Sequence, residues 1–157
     1  MIPNIGLSAK NLKGIIDLLC SVLSDAAVLY TKTRKFHWNV SGNSFMELHK
    51  LFEKHYEELD EAMDEIAERI NKLGTNTPGT LEEFLKMTNL KESPGKYPSQ
   101  GEMLKELLKD HEAIIVALRK YVDECDEKYG DMGTSDFLVD LLKAHETMAW
   151  TLRRYSK

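Results

Sequence analysis

Apolar residues recur at steps of three and four along four long stretches of the chain, with polar residues filling the positions between. The first stretch opens after Ser8, a suitable N-cap, and lines up Leu12, Ile15, Ile16, Leu19, Val22, Leu23, Ala26 and Tyr30 on one face. Continued at the same spacing, that face reaches Thr33 and then His37, so the histidine closes a buried stripe. Between Asn39 and Ser44, β-branched Val40, Gly42 and Asn43 disfavour helix and predict a break. Ser44 then opens a second helix, with Glu47 placed to complete a capping box. Its stripe is Phe45, Leu48, Phe52, Leu59, Met63, Ile66, Ile70 and Leu73, and Gly74 ends it.

Residues 75–100 lack this periodicity and are rich in Pro, Gly and Thr, apart from Thr80 to Lys86, which reads as a capped turn or two of helix. A connection this long suits a crossover between helices that are not antiparallel neighbours. A third helix from about Ser99 carries Met103, Leu107, Leu108, Ile114, Ile115, Leu118, Tyr121 and Val122 and ends near Gly130. Thr134 or Ser135 is expected to cap the fourth, with Phe137 or Leu138, then Leu141, Leu142, His145, Met148, Ala149 and Leu152 inward. The expected fold is all-α, a ferritin-like four-helix bundle with a short extra helix in the crossover, spanning 1–157 as one domain.

Composition narrows the function classes. The net charge of -5 argues against a generic nucleic-acid binder, since phosphate affinity is mostly a Lys/Arg effect. Cys20 and Cys125 are too few and too distant for a disulfide framework or a zinc site. No apolar run matches a signal peptide, and Asp17 and Asp25 interrupt the most apolar segment. A cytoplasmic, non-membrane protein is expected.

The candidate chemistry lies in residues 36–69. His37 and His49 flank the break, and Glu53, Asp64 and Glu68 follow on the second helix. Mixed nitrogen and carboxylate donors suit a first-row metal, iron above all. A lone histidine ending a buried stripe is more often a core residue, and acids on a helix are more often solvated, as Glu57, Glu58 and Glu61 are read here. Glu65 and Arg69 fit an i,i+4 pair. Asp64 stands 64 − 49 = 15 residues past His49, about 22 Å along a straight helix. One chain therefore cannot close the site. A two-fold dimer with antiparallel second helices would set Asp64 and Glu68 of one chain beside His37, His49 and Glu53 of the other. A di-iron centre inside the bundle needs Glu-x-x-His on two helices. No histidine here has an acid three residues before it.

The run His37-Trp38-Asn39-Val40-Ser41-Gly42, then Phe45, Leu48-His49 and Asp64-Glu65-Ile66-Ala67-Glu68-Arg69, closely resembles the Dps family of mini-ferritins. His145-Glu146, Trp150 and Leu152-Arg153 resemble that family's last helix. The resemblance implies a hollow twelve-subunit shell that oxidises Fe(II), preferentially with hydrogen peroxide, and stores ferric mineral against oxidative stress. It implies the ligands His37, His49 and Glu53 from one chain with Asp64 and Glu68 from its partner. Glu53 departs from the Asp that many members carry, and its longer arm bears on the second iron position. The resemblance also places Glu127, Asp131, Asp136 and Asp140 at acid-lined three-fold pores, where cap and surface roles serve as well. Trp38 is read either as site packing and radical quencher or as interface filler. A nucleoid-protecting assembly that binds DNA, with minor iron chemistry, is the alternative and is not favoured. The N-terminal arm offers only Lys10 and Lys13, and Arg153, Arg154 and Lys157 can equally serve the helix dipole.

Overall fold

The computed structural model describes residues 3–155. The four apolar stripes become α1 (Ala9–Asn39), α2 (Phe45–Lys72), α4 (Gln100–Asp123) and α5 (Met132–Tyr155), with the short α3 (Leu81–Met87) in the crossover. Helices α1 and α2 pack as one hairpin and α4 and α5 as another, while α3 lies on α1. This is the expected four-helix bundle with its extra helix. No helix among the described residues is long and apolar enough to cross a membrane.

The core is drawn evenly from the four stripes. Ile15, Leu19 and Leu29 of α1, Phe52, Leu59 and Ile70 of α2, Leu107 and Leu118 of α4, and Leu138 and Leu152 of α5 are all fully buried. Each contributes on the order of 1.5–3 kcal/mol by leaving water. Lys157 and Met1 lie outside the described residues.

Polar contacts fasten the crossover to α1. Buried Asp25 accepts hydrogen bonds from Thr88 Oγ1 at 2.7 Å and from the Asn89 backbone N–H at 2.6 Å. Lys32 donates to the Lys91 carbonyl at 2.7 Å and pairs with Asp110 of α4 at 2.6 Å. Lys35 donates to the Ser93 carbonyl at 2.9 Å. Thr80 and Glu83 form a capping box on α3, and Ser99 and Glu102 form one on α4. The long connection is therefore a fixed strap along the first hairpin.

Five local expectations are corrected. Ser44 makes no side-chain cap on α2, so the Ser44–Glu47 box does not form; Phe45, expected inward, is 40% exposed. Helix α5 begins before Thr134 and Ser135, and Asp131 caps it by accepting the Thr134 N–H at 3.0 Å. The third helix does not run evenly to Gly130; residues 124–128 widen into a π-helical turn that buries Cys125. Arg69 leaves Glu65 and reaches across to Asp131 at 3.4 Å and to Thr134 Oγ1 at 2.9 Å. For Arg69 a tertiary partner outcompetes the local one.

Candidate metal centre

The break between α1 and α2 is what brings two histidines together. Val40 ends α1 in an extended conformation, and Gly42 turns the chain with φ +115°, a value L-residues rarely adopt. His37 sits in the last turn of α1 and His49 in the second turn of α2. Their rings stack with centroids 3.8 Å apart and planes 18° from parallel.

Each ring is held by the backbone of the other residue. His37 Nδ1 lies 2.8 Å from the His49 carbonyl, and His49 Nδ1 lies 2.9 Å from the His37 carbonyl. A carbonyl only accepts, so both Nδ1 atoms carry the proton and donate. In the neutral rings both Nε2 atoms are therefore bare lone pairs. Fixing the tautomer through the far ring nitrogen is how proteins prepare imidazoles as metal ligands. His37 is buried and His49 half-buried.

Aromatic residues wall the pair. Tyr56 of α2 stands edge-on to His37 with centroids 5.2 Å apart and donates weakly to Glu53 Oε1 at 3.5 Å. Partial burial first, and then the Glu53 and Glu57 carboxylates, raise the Tyr56 phenol above its ordinary pKa. The Arg34 guanidinium lies 5.3–5.5 Å from the ring centres of Tyr30, Trp38 and Tyr56. Trp38 itself is 66% exposed.

Within one chain the structure brings together His37 and His49, while Glu53 contacts Tyr56, which stands against His37. It does not bring Asp64 or Glu68 near them. Both acids are exposed further along the unbroken α2, with Glu68 paired to Lys72 at 3.2 Å. Asp64 borders a shallow cleft formed with Leu23, Met63, Pro78 and Phe84. Among the described residues, no group of three or more His, Cys, Asp or Glu in one chain is arranged to hold an ion. Of the acids read as pore candidates, Glu127, Asp136 and Asp140 are exposed, whereas Asp131 is 7% exposed and engaged by Arg69 and Thr134.

Sequence reasoning passed over Arg34 and Tyr56 beside the histidines. Their signal was available: both lie within one or two helical turns of a candidate ligand, on the flank of the buried stripe.

A ferritin-like domain model matches residues 16–157. A Bacillus anthracis protein named DNA protection during starvation protein 2 is 35% identical over 91% of this chain and 97% of its own. The chain belongs to the Dps family. Another relative, an uncharacterized low temperature-induced protein of Nostoc, is 45% identical over 97% of this chain and 85% of its own length. The crystal structure of a Vibrio cholerae Dps protein, described as a member of a superfamily of ferritin-like diiron-carboxylate proteins, superposes with a TM-score of 0.91 at 29% identity. It covers all of this chain, and the match takes in 98% of that protein. The ferritin-like bundle that this chain shares with its solved relatives carries the short α3 in its crossover and the histidine pair at its first hairpin.

Proposed function

We propose that this Dps chain is the subunit of an iron-storing shell whose sites oxidise Fe(II) where two chains meet. The observation that carries the reading is the reciprocal clamp of His37 and His49, which leaves two Nε2 lone pairs side by side. Stability alone does not call for such an arrangement. Glu53 adds a carboxylate on the same side, and Asp64 and Glu68 of a second chain complete a nitrogen–oxygen donor set of the kind Fe(II) accepts. The diiron-carboxylate description of the Vibrio relative supports iron as the substrate.

The reaction is 2 Fe(II) + H2O2 + 2 H+ giving 2 Fe(III) + 2 H2O. Peroxide takes one electron from each iron, its O–O bond breaks, and both oxygens leave as water. Pairing the irons means that no hydroxyl radical is released. In this scheme the histidines bind and orient, the carboxylates offset the growing positive charge, and Tyr56 limits water beside His37. Ferric product moves inward for storage in a shell that we take to be a dodecamer. Glu127, Asp136 and Asp140 are offered as its acidic entry route, and Asp131 is not, because its oxygens already serve Arg69 and Thr134. Protection of DNA, named in the Bacillus relative, follows in this reading from removal of iron and peroxide without direct contact.

The test is Fe(II) oxidation by peroxide, followed through ferric absorbance in the assembled protein. His37→Ala and Asp64→Ala each slow oxidation at least tenfold while the shell keeps its size. Wild-type rates in both variants would refute the proposal.

A further inference from the structure

Among the described residues, Arg34 is a half-buried cation with no anion in its own chain. It sits on α1 one turn before His37, with Tyr30 one turn further back and Trp38 one turn ahead on the same flank. Its guanidinium lies 5.5, 5.4 and 5.3 Å from the ring centres of Tyr30, Trp38 and Tyr56, and Nη1 donates to the Tyr30 hydroxyl. Nε is buried with no hydrogen-bond partner. Nη2 finds no acceptor among the described residues and, unlike Nε, is open to solvent. The other arginines differ: Arg69 pairs with Asp131, Arg119 with Glu146 and Arg153 with Glu112, and Arg154 is exposed.

A guanidinium carries five N–H donors, and here a single one is used. The three rings steady the charge through their faces and leave the remaining donors unmet. A carboxylate is the group that meets them, with two parallel N–H···O bonds in one plane. The chain itself supplies none. Glu53 faces Tyr56 at 3.5 Å, and Asp64 and Glu68 stand further along α2. In the two-chain site proposed above, however, Asp64 and Glu68 of the second chain arrive beside His37, one helical turn from Arg34.

We propose that Arg34 is the docking residue for the second chain: its guanidinium takes the Asp64 or Glu68 carboxylate of that chain while iron is absent and gives it up when Fe(II) enters. This rests on the reading that the iron site is shared between two chains. The pair acts in opposite directions on assembly and on loading. It strengthens the contact between metal-free chains and holds the acids near the histidines. The same fixed charge competes with Fe(II) for those oxygens and repels it, which lowers the affinity for the metal. A residue that only packed the rings would lack this opposition, and its loss would weaken assembly and metal binding together.

The test is Arg34→Gln, which keeps amide donors and removes the charge. Stripped of metal and diluted in mild denaturant, the variant should dissociate at about 10-fold higher concentration than the parent, as read by sedimentation. In an anaerobic calorimetric titration it should bind Fe(II) about 10-fold more tightly. Arg34→Lys, which retains the charge without the fork, should lie closer to the parent in Fe(II) affinity than Arg34→Gln does. Unchanged Fe(II) affinity in Arg34→Gln, or a loss in both measurements, would overturn the inference. If Arg34→Gln does not assemble, crystal structures of the parent with and without iron decide. An Arg34 nitrogen within about 3.2 Å of the second chain's carboxylate in the metal-free form supports the docking role, and no such pair there overturns it. His37→Ala tells the two failures apart. Undiminished Fe(II) binding in that variant overturns the shared-site reading itself, whereas lost binding there beside a parent-like Arg34→Gln overturns the role of Arg34 alone.

Discussion

Asp131 does two jobs at once, and two substitutions separate them. Its carboxylate caps α5 through the Thr134 N–H at 3.0 Å and the Thr134 hydroxyl, and it meets Arg69 of α2 at 3.4 Å. Asp131→Ala removes the cap, worth about 1 kcal/mol. It also leaves Thr134 and Arg69 short of a partner in a mostly buried place, for about 1–2 kcal/mol more. Asp131→Asn keeps one oxygen to accept the Thr134 N–H but turns the oxygen that takes the Thr134 hydroxyl into a donor and loses the charge on a long contact with a partly exposed arginine, together about 1 kcal/mol. For a chain of this length each kcal/mol moves the melting temperature about 2–4 °C. Scanning calorimetry at one protein concentration should then show Asp131→Ala melting roughly 4–12 °C lower and Asp131→Asn within about 3 °C of the parent. Equal losses in the two variants would show that the charge, not the cap, carries the stabilisation and would refute the reasoning.

Acid should weaken the fold through its core histidines. His55 and His145 titrate near 4 when folded, by burial, against the ordinary 6.5 when unfolded. The unfolded chain therefore binds more protons between those values. Stability is complete above pH 6.5, declines by about 1.4 kcal/mol per pH unit per histidine on the way down, and levels near pH 4. Denaturant titrations from pH 7.5 to 4 check this, and His145→Leu should flatten the slope. Asp110→Ala removes the 2.6 Å partner of the buried Lys32 ammonium and leaves it only Glu106 at 3.2 Å and the Lys91 carbonyl at 2.7 Å, and should cost about 1–3 kcal/mol. Lys32→Met with Asp110→Leu should recover most of that loss, as read by the same titration.

The fold was legible because its signals are redundant. Every stripe from Leu12 to Leu152 repeats at helical spacing, and Gly42, Gly74 and the Pro-rich crossover mark the ends. Misread positions are those where a better partner than the expected one lies nearby or across the bundle. Arg69 has an acid four residues before it in sequence, yet the buried Asp131 lies across the bundle and wins. Thr134 and Ser135 look like caps, but Asp131 precedes them and its carboxylate is the better acceptor. The histidine pair could be placed in one hairpin from spacing, whereas the exchange of Nδ1 bonds with each other's carbonyls depends on how the turn at Gly42 sets the two helices. The three core histidines come from separate helices, and no spacing rule joins residues 55, 111 and 145.

Whether the iron site is shared between chains is the central claim, and a mixture of two inactive variants tests it most directly. His37→Ala and Asp64→Ala chains are unfolded together, refolded and allowed to assemble at equal ratio. In a hybrid two-fold dimer one site holds both defects and the other holds none. Random pairing makes half the dimers hybrids, so about a quarter of the wild-type sites return. Peroxide-driven Fe(II) oxidation at about a quarter of the wild-type rate, from two parents that are each nearly inactive, is the expected result. A mixture no more active than its parents would contradict the account.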